Sequence, residues 1–323
     1  MPSEILRPAL NAELAHVHQA MPKIDMGSKD QVDAYRQFLN SIFSLENAVR
    51  GKENVLAYEE RDIPGPAGPM RTTIFRPKNP TRSVEETPGF FCMHGGGLVS
   101  GNRFVGVSNL LDWVETLGAT LVTAEYRLAP EHPQPAALED SYAALQWMSE
   151  NSTELGFNPR KLIIAGGSAG GNLAAGVTLL ARDRSGPGLL AQVLMYPLLD
   201  DSNQGLSVEQ FGDIAPWMAS NTVDAQRYAL GENHENADMY TIPLRAKSLH
   251  GLPPTFIDVG EADPLRDQDV AYALNLWKAG VSAELHVWPG GWHGFDAFVP
   301  EAPISQRASA TRLEWLRKLL ESS

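Results

Sequence analysis

The chain has 323 residues, of which 43% are hydrophobic and 20% charged, a composition typical of a globular protein with a sizeable buried core. Its formal net charge of −13 at pH 7 argues against binding to the phosphate backbone of nucleic acid or to an anionic membrane surface. The single cysteine, Cys92, excludes an intrachain disulfide framework and a cysteine-based zinc cluster, and it fits a reducing compartment.

Signals for membrane insertion and export are missing from the sequence pattern. There is no run of about 18 uninterrupted apolar residues, which is the length that a transmembrane helix requires. Residues 1–14 contain no apolar core of a signal peptide. We therefore expect no membrane span and a cytoplasmic location.

The first predicted elements are helical. Residues 31–49 carry apolar side chains at the spacing of one helix face, and residues 1 to about 50 are predicted to be helical. A hairpin follows, with strands at 55–62 and 70–76 around a turn rich in proline and glycine. Further strands are predicted at 89–93, 119–126, 161–165, 191–196, 255–259 and 283–288, and helices at 135–151, 168–182, 267–279 and 304–320.

The alternation of strands and helices after residue 89 indicates an α/β fold with a mostly parallel central sheet and helices on both faces. Residues 200 to about 250 break this alternation. We expect that excursion and the helical segment of residues 1–50 to form a cap. Its place would be over the carboxyl ends of the strands, where open α/β sheets bind ligands.

Ser168 lies in the sequence Gly166-Gly167-Ser168-Ala169-Gly170, between a predicted strand and a predicted helix. The G-x-S-x-G pattern is typical of a nucleophile elbow, a sharp turn that exposes a serine hydroxyl. Glycine is needed there because side chains would clash. A phosphate-binding loop is an alternative, but neither G-K-[ST] nor the spacing G-x-G-x-x-G is present. We predict that Ser168 is a nucleophile.

A histidine and three glycines directly follow another buried strand, as His94-Gly95-Gly96-Gly97. Acyl transfer places negative charge on a carbonyl oxygen, and backbone N–H groups in a glycine-rich loop can approach that oxygen closely. We predict that the N–H groups of Gly96, Gly97 and Ala169 form an oxyanion hole. Gly95 would support the turn, and His94 would anchor the loop.

The chain has eight histidines that could serve as the general base. In a fold with a nucleophile elbow the chain order is serine, acid, histidine. His293 follows the last predicted strand in a glycine-flanked loop, as this order requires, whereas His286 lies inside the strand. We therefore predict that His293 is the base.

The acid is expected at the end of the preceding strand, where four carboxylates compete. Asp258 lies within the strand, Glu261 directly beyond it, and Asp267 at the start of the next helix, where it would serve as a cap. Asp263 lies in the loop and precedes a proline, which favours an extended conformation. We favour Asp263 over Glu261 as the residue that orients the imidazole of His293.

Five segments together resemble the hormone-sensitive-lipase-like family (family IV) of esterases. They are His94 to Gly97, Tyr126 to Pro133 (Y-R-L-A-P-E-H-P), Gly166 to Asn172, Asp263 to Asp267 and His293 to Phe295. The resemblance runs from about residue 88 to the end of the sequence. One position departs from the pattern, because the family usually carries Asp or Thr directly before the serine, where this chain has Gly167.

This resemblance implies a capped α/β-hydrolase fold, with residues 51–323 as the catalytic domain and residues of about 200–250 as a cap excursion. It implies no metal ion and no organic cofactor. The site residues that it implies are the triad Ser168, Asp263 and His293 and the oxyanion donors Gly96, Gly97 and Ala169.

The predicted function is that of a serine carboxylester hydrolase, which acts on short- to medium-chain esters through an acyl-enzyme intermediate. Phe211, Trp217 and Met218 are predicted to line a partly apolar substrate pocket. The expected partner is a small-molecule ester, and a homodimer is a further expectation. Two alternatives remain at this point: a specialised hydrolase of a biosynthetic intermediate, and a non-catalytic binding protein of the same fold, against which the presence of His293 argues.

Overall fold

The computed structural model describes residues 5–323, which fold around one eight-stranded sheet. The strands are β1 (Leu56–Gly65), β2 (Gly68–Pro77), β3 (Gly89–Met93), β4 (Thr120–Ala124), β5 (Leu162–Gly167), β6 (Ala191–Met195), β7 (Thr255–Gly260) and β8 (Ala283–Trp288). Their order in the sheet is β1-β2-β4-β3-β5-β6-β7-β8. The pairs β1–β2 and β2–β4 are antiparallel and the other pairs are parallel, so the prediction of a mostly parallel sheet is confirmed.

Helices cover both faces of the sheet. They are α1 (Ala15–Ala20), α2 (Lys29–Ile42), α3 (Leu45–Val49), α4 (Val107–Leu117), α5 (Ala136–Glu150), α6 (Ser152–Leu155), α7 (Ala169–Asp183), α8 (Leu206–Phe211), α9 (Ala219–Leu230), α10 (Arg266–Lys278), α11 (Phe295–Phe298) and α12 (Pro303–Glu321). Within residues 5–323, none of these helices has the length and apolarity needed to cross a membrane.

The central strands have apolar residues on both faces because both faces are covered. Every residue of β3, β4, β6 and β7 is buried, which explains why these strands are mostly apolar rather than alternating between apolar and polar residues. Helices α5, α7 and α10 pack in the core on one face, and α4 and α12 pack on the other. This arrangement brings the loops after β3, β5, β7 and β8 to one edge of the sheet.

The prediction of helix over residues 1 to about 50 is correct only in part, since residues 5–14 and 21–28 are not helical and residues 1–4 lie outside the described residues. The predicted helix at 31–49 is interrupted at Phe43, which is extended, and a new helix begins after Ser44. The Ser44 hydroxyl accepts a hydrogen bond from the backbone N–H of Asn47, and serine is a preferred N-cap. As a result α2 packs with the residues near the elbow, whereas α3 packs beside α4 on the opposite side of the sheet.

Helix α4 was not among the predicted helices. It begins after Gly106, which is in the left-handed conformation and makes no side-chain cap. The usual sequence signal for a helix start is therefore missing, although Leu110, Leu111 and Val114 form a buried face.

Candidate active site

Ser168 stands on a strained turn between β5 and α7. Its backbone angles are φ 56° and ψ −121°, a conformation that a residue with a side chain rarely adopts. The turn is tight enough that a Cβ at Gly166 would lie 2.1 Å from the carbonyl oxygen of Gly170, and a Cβ at Gly170 would lie 2.1 Å from that of Met93. Both glycines are therefore required for the elbow that the sequence predicts.

A continuous hydrogen-bond chain links three side chains from different loops. Nε2 of His293 lies 2.9 Å from Oγ of Ser168, and Nδ1 lies 2.8 Å from Oδ2 of Asp263. The second carboxylate oxygen of Asp263 accepts a hydrogen bond from the backbone N–H of Leu265 at 2.8 Å. Asp263 has no exposed surface, and Ser168 and His293 are 7% and 6% exposed. The structure thus brings together the three residues predicted as a triad.

The three other carboxylates near the end of β7 have different partners. Glu261 accepts a hydrogen bond from the backbone N–H of Gly290, and Asp267 accepts one from that of Ser207. Asp258 pairs with the buried guanidinium of Arg312. None of the three is hydrogen-bonded to His293, which agrees with the choice of Asp263.

His94 anchors the loop after β3. Its Nδ1 lies 2.8 Å from the carbonyl oxygen of Gly95, and its ring stacks on Tyr126 with the centroids 4.1 Å apart. The hydroxyl of Tyr126 donates to the backbone carbonyl of His94 at 2.7 Å. Burial lowers the pKa of His94, so the neutral ring is favoured. These contacts agree with a supporting role for His94.

The glycine loop itself lies against the elbow. Gly96 and Gly97 have φ values of +124° and +65°, which favour glycine. In the described part of the chain, no backbone carbonyl accepts a hydrogen bond from the N–H groups of Gly96, Gly97 and Ala169. Gly95 and Gly96 line the same cavity as Ser168, whereas Gly97 lines a smaller neighbouring cavity.

The cavity at Ser168 has a volume of about 70 Å³ and a mostly apolar wall. Helix α2 and the segment before α9 supply one side of this wall, through Tyr35, Leu39, Phe43, Pro216 and Trp217. The other side comes from the sheet and from α4, α11 and α12. Residues of the predicted cap segments therefore form part of the site.

Of the three aromatic and sulfur-containing residues predicted for the pocket, Trp217 lines this cavity. Phe211 and Met218 do not. Phe211 is fully buried in a separate cluster with Leu14 and Phe295, because α8 turns its apolar face toward that cluster. The prediction that Phe211 and Met218 line the pocket is therefore wrong. The helical stripe that contains Tyr35, Leu39 and Phe43 was visible in the sequence, but periodicity alone does not tell a core face from a cavity wall.

A family model described as the α/β-hydrolase fold matches residues 90–297. The chain is similar to esterase LipI of Mycobacterium tuberculosis, with 34% identity over 319 residues, which cover 97% of this chain and 96% of the relative. The chain belongs to the hormone-sensitive-lipase-like esterases.

Solved structures of esterases superpose on this member of the family over nearly its whole length. Bacterial heroin esterase has a TM-score of 0.88 and 32% identity, with 97% of this chain and 98% of that chain covered. Esterase LipW of Mycobacterium marinum has a TM-score of 0.87 and 33% identity, with 98% of both chains covered. The predictions of an α/β-hydrolase fold and of a carboxylester hydrolase are confirmed.

The departure of this esterase from the family pattern has a structural explanation. A Cβ at Gly167 would lie 3.2 Å from Cε2 of Tyr196, which is tighter than most real contacts. Tyr196 packs edge-on against the imidazole of His293, with the ring centroids 5.2 Å apart. In this chain the aromatic ring of Tyr196 takes the space beside the elbow, and it leaves little room for a side chain before Ser168.

Proposed function

We propose that this esterase hydrolyses carboxylic esters through an acyl-enzyme on Ser168. The observation that carries the proposal is the hydrogen-bond chain from Asp263 through His293 to Ser168, at 2.8 and 2.9 Å. Such an arrangement lets a weakly nucleophilic hydroxyl lose its proton as it attacks.

In the first half-reaction, Oγ of Ser168 attacks the ester carbonyl carbon and Nε2 of His293 takes the hydroxyl proton. The N–H groups of Gly96, Gly97 and Ala169 would stabilise the oxyanion of the tetrahedral intermediate. His293 then returns the proton to the leaving alcohol. Because Asp263 is fully buried and accepts a hydrogen bond from Nδ1, it stabilises the imidazolium during both transfers. In the second half-reaction, water attacks the acyl-enzyme carbonyl carbon while His293 takes its proton. His293 then returns the proton to Oγ of Ser168 as the carboxylic acid leaves.

We propose short- to medium-chain substrates on the basis of the cavity. Its volume of about 70 Å³ would hold roughly five water-sized groups, since one water needs about 10–15 Å³. The segments 1–50 and 200–250 are proposed to act as a cap, with residues 51–323 as the catalytic domain. Tyr35 and Trp217 support this proposal because each comes from one of these segments and both line the cavity.

The decisive experiment is hydrolysis of p-nitrophenyl esters from acetate to palmitate by the wild type and by Ser168→Ala. We expect turnover that is greatest at short to medium chains. In the variant we expect a fall of at least about 10³-fold in kcat with an unchanged thermal midpoint. Equal turnover by both proteins would contradict the nucleophile. A folded wild type that turns over no ester would instead indicate a narrowly specific hydrolase or a binding protein.

Two further proposals concern the whole protein. A homodimer is proposed through the outer edge of β8, which ends the sheet and lies beside exposed Leu274 and Trp277 on α10. A cytoplasmic location is proposed because the single cysteine leaves the fold independent of disulfides.

A further inference from the structure

One side chain from the segment 200–250 contacts two parts of the catalytic site. The indole of Trp217 lies against the glycine loop, since a Cβ at Gly97 would be 2.3 Å from Cη2 of the ring. The same ring packs against the imidazole of His293, with the centroids 6.0 Å apart and the planes at 39°. Trp217 is 2% exposed and lines the cavity at Ser168. It therefore contacts both the predicted base and a predicted oxyanion donor.

The orientation of the imidazole depends in part on its packing. Hydrogen bonds to Asp263 and Ser168 hold the two ring nitrogens of His293. These bonds restrict rotation of the ring about the line through both nitrogens only weakly. The rings of Tyr196 and Trp217 pack against the imidazole and oppose that rotation, with centroids 5.2 and 6.0 Å from its own. Small displacements matter here, because an error of about 1 Å in the position of a catalytic group can lower the rate about 10²-fold.

Trp217 is held in turn by a hydrogen bond to α9. Its Nε1 donates to Oγ1 of Thr222 at 2.9 Å, and Thr222 is 1% exposed. A buried indole N–H without an acceptor is costly, so this bond favours one position of the ring. Ala225 of the same helix also approaches the glycine loop, with its Cβ 3.1 Å from the Cβ position at Gly97. Thr222 itself lies outside the cavity wall, so a change there acts on the site only through its neighbours.

Resting on the proposed ester hydrolysis, we propose that Trp217 is a positioning residue that holds the imidazole of His293 and the loop at Gly97 in their reactive arrangement. Thr222 fixes the indole in the position that this role requires. The effect falls on kcat, because the base and the oxyanion donor both act on the transition state. A residue that formed only a wall of the pocket would change KM and the preference for chain length instead. The segment 200–250 then contributes to the chemical step as well as to the substrate cavity.

The first test removes the acceptor of the indole N–H at nearly constant shape. With p-nitrophenyl acetate, we expect Thr222→Val to lower kcat by about tenfold and to leave KM nearly unchanged. Thr222→Ser keeps the hydroxyl and loses a methyl group, so it should retain most of the wild-type kcat. The matched control is Thr178→Val, which removes a buried hydroxyl that donates to the carbonyl of Ala174 within α7. Thr178 lies outside the cavity wall, and this variant should keep the wild-type kcat and KM.

The second test is a double-mutant cycle. Trp217→Phe removes the indole N–H together with the part of the ring that reaches Gly97, and it should lower kcat by about tenfold or more. Adding Thr222→Val to Trp217→Phe should have no further effect on kcat, because no N–H remains for Thr222 to hold. The double variant also contains no unpaired indole N–H. It should therefore fold even if Thr222→Val alone does not, and thermal unfolding of each variant checks this.

Several outcomes would overturn the proposal. A wild-type kcat in Trp217→Phe would do so without any need for Thr222→Val to fold, and so would a wild-type kcat in folded Thr222→Val. Equal losses of kcat in Thr222→Val and Thr222→Ser would mean that packing, and not the hydrogen bond, is what matters. Additive losses in the cycle would mean that Thr222 acts on the site by another route. If Ser168→Ala retained full activity, the proposed reaction itself would fail, and this result is distinct from all of these.

Discussion

At the residue scale, the glycine loop near Ser168 depends on the absence of side chains. Gly97 has φ +65°, and a Cβ there would lie 2.3 Å from the ring of Trp217. We predict that Gly97→Ala displaces the loop and lowers kcat by about 10²- to 10³-fold, the usual effect of losing one oxyanion donor. Gly280→Ala is the matched control, since Gly280 has φ +75° and open space around its Cβ position. Kinetics in which both variants behave alike would contradict the prediction.

A second residue-scale prediction concerns Asp269, which is fully buried near the start of α10. Both its carboxylate oxygens lack a partner among the residues described. Burial, followed by the charges of Asp263 and Asp258, raises the pKa of Asp269 well above its ordinary value. Between the ordinary pKa of about 3.9 and this raised value, the folded state holds a proton that the unfolded state releases. The free energy of unfolding therefore falls as the pH rises through that window.

Because asparagine removes this titration, we predict that Asp269→Asn is more stable than the wild type at pH 8, by about 1–3 kcal/mol. The difference between the two proteins in the free energy of unfolding should become smaller toward pH 4. At that pH the carboxyl group of Asp269 is protonated in the folded state and increasingly so in the unfolded state. Thermal or urea unfolding of both proteins at pH 8 and at pH 4 measures this difference. A gap that is the same at both pH values, or that favours the wild type at pH 8, would contradict the proposed cause.

At the element scale, helix α2 is tied to the loop after β3 by one side chain. Nε of Arg36 donates to the carbonyl oxygen of Val99 at 2.7 Å, and Nη2 donates to that of Ala129 at 2.9 Å. The guanidinium also pairs with Glu131, and its hydrogen bond lowers the pKa of that carboxyl group to about 2. This contact joins the N-terminal segment to the chain that follows Gly97.

We predict that Arg36→Ala lowers kcat/KM by about tenfold, because two partly buried contacts, with the carbonyl oxygens of Val99 in the loop after β3 and of Ala129 after β4, are lost. Glu131→Gln should have a smaller effect, since it removes a partly exposed ion pair but leaves both carbonyl contacts of Arg36 in place. The comparison is made with one p-nitrophenyl ester at pH 7. Equal losses in the two variants would mean that the ion pair, and not the loop contact, is what matters.

At the scale of the whole molecule, the edge of the sheet at β8 is the proposed surface for dimer formation. Strand β8 has a neighbouring strand on one side only, and Trp277 and Leu274 on α10 are 46% and 47% exposed. We predict that Trp277→Lys shifts the protein from dimer to monomer in light scattering coupled to size-exclusion chromatography. Val223→Lys, which changes a similarly exposed side chain on α9, should not cause this shift. A wild type that is monomeric at micromolar concentration would contradict the dimer.

The sequence by itself determined the fold class and most of the regular elements. The strands after residue 89 were predicted to within two residues at each end, because central strands of a covered parallel sheet are short apolar runs between turn residues. Ser168, Asp263 and His293 could be predicted because each lies in a short motif directly after a strand. Local geometry suffices for such positions, since the end of a parallel strand already lies at the edge where the site forms.

Only the tertiary structure decided what surrounds those residues. A helical stripe predicts that Tyr35 and Leu39 face inward, but not whether they meet core or cavity. Phe211 was predicted for the pocket on composition and lies in a different cluster. The cluster of Asp258, Asp296 and Arg312 joins β7, α11 and α12, and its members are recognisable as a unit only after the chain has folded. Contacts between residues far apart in sequence depend on how whole elements pack, and no local pattern encodes that packing.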